Sequence, residues 1–203
     1  MASLTGQIAR LDKQVSSALA LLATLPDLAG VSRHYIAELV ILRTFALFES
    51  IVEQSACRLV CGATYLDGTP AQLLRPVPTK GIRRAREAMS QYNRTKPLQQ
   101  LRWNKPVNIR TNLDTLFPPT EHFIATLQGH SKFIADIRKV RNHIAHANEG
   151  TRTKFQQVVL NYYGAVVPSL TPGRMLVSPR FKPSLAERWA RETHIVVRAA
   201  LRA

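Results

Sequence analysis

The sequence predicts an all-α fold, and three observations predict it. Apolar residues recur at three- and four-residue spacing over most of the chain. One long stretch, between Val31 and Cys61, contains neither proline nor glycine. Most prolines and glycines fall between the periodic segments and punctuate them. The first segment, residues 4–25, places Ile8, Leu11, Val15, Leu19 and Leu22 on one helical face, and Pro26 ends it. Ser32 is a suitable N-cap for a second helix that runs to Cys61 and stops at Gly62. Ile36, Leu39, Val40, Leu47, Phe48 and Ile51 cover much of its surface, so it is predicted to be a central helix buried on several sides.

Residues 62–79 carry three prolines and two glycines and read as a loop. Residues 80–95 read as a helix. The stretch from Pro97 to Pro119 is broken by Pro106 and has no clear period. A helix is predicted from Thr120, whose hydroxyl can cap it, as far as the interruption at Gly129. Residues 131–148 and 152–163 then resume the helical period. Pro168 to Pro183 holds four prolines and one glycine, which predicts an extended arm with a short strand at Arg174–Val177. A closing helix over 184–202 carries Leu185, Trp189, Ile195 and Val196. There is no internal repeat. A chain of 203 residues is long enough for one domain with a real core.

Charge narrows the function. The chain has 28 Lys and Arg against 13 Asp and Glu, a formal net of +15. Such a surplus costs self-repulsion in the compact state, and an anionic partner offsets it. Residues 1–79 carry as many acids as bases. The surplus sits in three stretches, residues 80–110, 131–154 and 174–203, a distribution that points to a polyanion-binding face. Arg83, Arg84 and Arg86 stand in the first of these. Tyr92 and Trp103 interleave it and suit either base stacking or the core. The two cysteines, Cys57 and Cys61, lie one helical turn apart and fit neither a disulfide framework nor a zinc site. That usage predicts a reducing compartment, the cytoplasm. No signal peptide is expected at Met1–Arg10, and no apolar run approaches the length of a membrane span.

The residues that carry chemistry are concentrated in Ile137-Arg138-Lys139-Val140-Arg141-Asn142-His143-Ile144-Ala145-His146. Phe133, Ile137, Val140 and Ile144 form one helical stripe and are predicted to face the core. Arg138, Asn142 and His146 are spaced by four and form a row on the other side. Lys139 and His143 flank that row. Arg141 stands roughly 140° from His146 at 3.6 residues per turn. One straight helix therefore does not bring them together; a frayed end, a bent substrate or a second copy of the helix must.

This segment resembles the Arg-x(4–6)-His signature of HEPN domains, in which a polar residue often follows the arginine. Arg141, Asn142 and His146 match it, with four residues between arginine and histidine. Arg138 with His143 and Arg188 with His194 also fit the bare spacing, but neither arginine is followed by such a polar residue. The long helix with Arg43 and Glu49 looks like the first core helix of these domains. The resemblance covers residues 32 to about 163. It implies an antiparallel helical bundle, with the first helix and the Pro-rich arm plus C-terminal helix, 164–203, as additions within a single domain.

The resemblance further implies a metal-independent endoribonuclease. RNA carries its own nucleophile, the 2′-OH, so the protein must move protons and stabilise charge on the phosphorane. Histidine suits the first task and arginine the second. The expected roles are His146 as acid or base, Arg141 as phosphate clamp and Asn142 as orienting group. Glu49 and His143 are supporting candidates, and Arg138, Lys139, Arg83, Arg84 and Arg86 are candidates for holding the RNA backbone. Neither a cofactor nor a metal is expected. The partners implied are RNA, a second copy that completes a composite site, and a silencing nucleotidyltransferase-like antitoxin, as for a toxin or phage-defence effector. Two other readings remain: a non-catalytic module of the same family that binds RNA, nucleotide or protein, and a basic nucleic-acid-binding helical protein with a coincidental motif. The latter lacks helix-turn-helix spacing, and no helix shows the face expected of a membrane-surface segment.

Overall fold

A computed structural model describes residues 3–77, 81–92 and 101–203, and among them the regular elements are helices. These are α1 (Thr5–Ala23), α2 (Gly30–Val60), α3 (Ile82–Tyr92), α4 (Pro106–Leu113), α5 (His122–Gly129), α6 (Ser131–His146), α7 (Glu149–Tyr163), α8 (Pro172–Leu176) and α9 (Leu185–Ala200), with a 3-10 turn at Leu25–Asp27. The all-α reading therefore holds. No described helix is long and apolar enough to cross a membrane.

By contacts the chain forms two compact units. The first comprises residues 1–11, 48–134 and 195–203. Its core includes Leu11, Phe48, Ile51, Leu59, Met89, Ile109, Leu113, Phe117 and Phe123, all at most 2% exposed. Each such side chain contributes about 1.5–3 kcal/mol by leaving water. α3 packs on α4, and α4 on α5. A buried carboxylate organises the irregular stretch after α2. Glu121 accepts from the Tyr65 hydroxyl at 2.5 Å and from the Gln72 backbone N–H at 3.1 Å. The Tyr65 oxygen in turn accepts from the Phe123 N–H at 3.2 Å, which gives one N–H of the first turn of α5 a partner where Glu121 supplies no side-chain cap. α5 accordingly starts at His122 with Glu121 as its N-cap residue, two positions later than Thr120. Trp103 is 4% exposed and belongs to this core, so the stacking alternative is closed for it.

The second unit comprises residues 12–47 and 135–194. Val40, Ile41, Phe45, Ile137, Val140, Phe155, Val158, Met175, Leu176, Leu185 and Trp189 fill its core. The Trp189 indole donates to the Tyr162 hydroxyl at 3.2 Å, and the two rings meet edge to face. α2 is buried on fewer sides here than its composition predicts. Leu39 is 41% exposed, and Val31 and Tyr35 extend the same exposed stripe. Ala37, Val40 and Ile41 face inward instead.

The predicted strand at Arg174–Val177 does not form. Thr171 caps a helix there, its hydroxyl accepting from the Arg174 N–H, and Pro172 occupies the first turn, where its missing N–H costs nothing. Met175 and Leu176 are then fully buried. The backbone of α8 lies close against α2: the Gly173 N–H donates to Glu38 at 2.8 Å. A Cβ at Gly173 would stand 2.6 Å from His34 Cβ and 2.9 Å from its carbonyl oxygen. Backbone cannot yield cheaply, so Gly173→Ala is expected to destabilise by about 1–3 kcal/mol. Urea unfolding monitored by circular dichroism checks this; an unchanged midpoint would mean that α8 does not dock as described.

Candidate functional site

α6 carries the motif. Ile134, Ile137 and Val140 are its buried side chains, while Phe133 and Ile144 are only half-buried, so the inward stripe sits slightly off the predicted one. Asp136 is also buried, at 3% exposed, and meets Lys139 at 3.7 Å. The Lys139 ammonium is therefore engaged with a carboxylate on its own helix. Arg138 and Asn142 are partly buried and His146 is exposed, so the row of three reaches solvent only towards its end.

The helix remains regular through His146, which rules out a frayed end as the way Arg141 approaches it. The guanidinium turns to its chain neighbour. Arg141 Nη1 donates to Asn142 Oδ1 at 3.1 Å, directing a permanent cation towards the residue one turn before His146. Arg141 Nε is buried and has no hydrogen-bond partner among the described residues. His143 and His146 both occupy the last turn, where the helix carbonyls favour cations.

His143 has a different environment from His146. Its ring stacks on Phe155 at 5.1 Å between centroids. Its Nδ1 lies 3.1 Å from Thr151 Oγ1. That hydroxyl already donates its one proton to the Asn148 carbonyl, at 2.9 Å, and accepts from the Asn148 N–H, at 3.1 Å. With that proton on the Asn148 carbonyl, Nδ1 is the donor, the tautomer that leaves Nε2 as an acceptor. Burial, and after it the charge of Arg152, hold the imidazole below its ordinary value of 6.5.

His143 also lines a cleft of about 340 Å³ with Arg152, Phe155, Gln156, Val159 and the segment Val166–Leu170. Sequence reasoning ranked His143 as a supporting residue and passed over Thr151, Arg152 and Ser169. The Asn148-x-x-Thr151 spacing, a reciprocal cap at the start of α7, was the available signal.

Glu49 is half-buried on α2. Arg83 and Arg84 are exposed on α3. Arg83 pairs with Glu87 at 3.0 Å, and Arg86 turns to Glu53 at 2.8 Å. The side chain of Tyr92 lies outside the described residues. Among the described residues no group of three or more His, Cys, Asp and Glu is arranged to hold a metal ion. Comparison with known proteins finds no matching family model, no matching curated protein and no matching solved structure.

The depressed His143 has a consequence for stability. Below pH 6.5 the unfolded chain takes up this proton before the folded one does. Stability is therefore lost as pH falls from that value through the folded pKa, and none is lost from this source above it. In His143→Gln that part of the acid-side decline is expected to vanish. Urea midpoints of both proteins between pH 7.5 and 5 give the comparison; parallel curves would contradict the assignment.

Proposed function

We propose that the chain is a metal-independent endoribonuclease of HEPN type that cuts RNA at the end of α6. The observation that carries this reading is the contact from Arg141 to Asn142, 3.1 Å, on a helix whose last residue is the exposed His146. It directs a cation towards the histidine row without any break in the helix. The +15 net charge is a second support, since RNA supplies the compensating polyanion.

In this mechanism the 2′-OH attacks the adjacent phosphorus and the 5′-oxygen leaves, giving a 2′,3′-cyclic phosphate. His146 takes the 2′ proton or protonates the leaving oxygen. Arg141 stabilises charge on the non-bridging oxygens through its fork of N–H donors. Asn142 holds the guanidinium. One histidine performs one of the two proton transfers, and a second copy of α6 across a homodimer supplies the other. A toxin or phage-defence role, with an antitoxin partner to silence it, follows from the same reading.

The non-catalytic alternative, a module that binds RNA, nucleotide or protein, would be favoured by a motif covered by the segment 168–183. His146 is exposed, which favours cleavage. Purified protein in EDTA, incubated with total RNA, is expected to cut it. Removing a group that transfers a proton costs about 10²–10⁴-fold. His146→Ala and Arg141→Ala are each expected to lose at least the lower figure while still binding RNA. Binding without cleavage by all three proteins would establish the non-catalytic module instead.

A further inference from the structure

The cleft beside His143 has features that the cleavage mechanism does not use. Four polar side chains line it, His143, Arg152, Gln156 and Ser169, above an apolar wall of Phe155, Val159, Val166, Val167, Pro168 and Leu170. No carboxylate stands among these described lining residues, so the Arg152 charge is uncompensated there. A volume of about 340 Å³ falls within the range of small-molecule sites.

Ser169 adds an independent observation. The Leu170 N–H closes on the Val167 carbonyl at 3.4 Å, with Pro168 and Ser169 between them. Proline at the second position of such a turn is ordinary, and in the type II form the residue after it takes a left-handed backbone, which glycine adopts most readily. Here a serine holds it, with φ 57°. It is the one non-glycine residue at positive φ among those described. Ser169 also lines the cleft, and backbone strain of this kind concentrates at ligand sites.

We propose that this cleft binds a small phosphate monoester with an apolar body. The body would lie on Val159, Val166 and Leu170. The phosphate would take the Arg152 fork, the Ser169 hydroxyl and the Gln156 amide. A phosphate presents three acceptor oxygens and nearly two charges, and so uses more of these donors than a carboxylate does. With Nδ1 as donor to Thr151, His143 Nε2 joins the phosphate by gaining a proton. None of Arg141, Asn142 and His146 lines the cleft, and binding there does not require that the chain cuts RNA.

Phenyl phosphate is the probe, titrated into the full chain by calorimetry at pH 7.5, with the His143 ring followed by NMR and identified by its loss in His143→Gln. Saturable one-to-one binding is expected, with an upward shift of the His143 pKa as the phosphate offsets Arg152. Arg152→Ala is expected to weaken binding at least tenfold, and His146→Ala to leave it unchanged. Ser169→Gly separates a ligand site from a structural turn. It relieves the strained backbone and is expected to raise Tm by about 2–4 °C, while weakening binding severalfold. Binding that no variant moves, or no saturation by millimolar phenyl phosphate, would overturn the proposal. So would a Ser169→Gly protein that gains stability and binds as well as the parent.

Discussion

A single hydroxyl, Thr151 Oγ1, ties the end of α6 to the start of α7, and the chemistry of the second unit depends on that corner. Helix ends leave backbone groups unsatisfied, and here only two residues separate two of them in sequence. Asn148 and Thr151 satisfy the start of α7 reciprocally, side chain to backbone in both directions. The Thr151 hydroxyl also meets His143 Nδ1, at 3.1 Å. α6 ends at His146, which is exposed. The His143 ring stacks on Phe155. Two histidines three residues apart on one helix thus have opposite settings, one in solvent and one in a cleft.

Charge is the second constraint. With 13 acids against 28 bases, pairing every acid would still leave fifteen cations over. Several acids are spent on particular arginines, such as Glu53 on Arg86 and Glu187 on Arg191. These exposed or half-exposed pairs add little stability individually. What they do is decide which cations remain available. Arg84 on α3 and Arg152 on α7 are exposed, and Arg152 looks onto a cleft without acids.

Much of the helical framework was legible in the sequence because helical periodicity is a local signal. α1, α6, α7 and α9 lie close to the predicted segments. The reading failed where proline was taken as evidence against helix. At Pro172 the ring occupies the first turn of α8, and Thr171 supplies the cap, so the same residues that excluded a helix interior started a short one. The exposure of Leu39 and the burial of Asp136 were not legible, because which face of a helix is covered depends on partners distant in sequence. Within the site, the Arg141–Asn142 contact links neighbours and follows from the motif itself. The role of Thr151 and the strain at Ser169 depend on how α6, α7 and the segment after α7 meet, and spacing alone does not reveal that.

The central claim is that the substrate's own 2′-OH is the nucleophile at the end of α6. The most direct measurement is mass spectrometry of the products from oligodeoxynucleotides that each carry one ribonucleotide, incubated with the protein in EDTA. The account predicts a single cut on the 3′ side of the ribonucleotide, leaving a 2′,3′-cyclic phosphate on one fragment and a 5′-hydroxyl on the other. Cleavage of an all-deoxy strand, or a product ending in a 3′-hydroxyl, would contradict it.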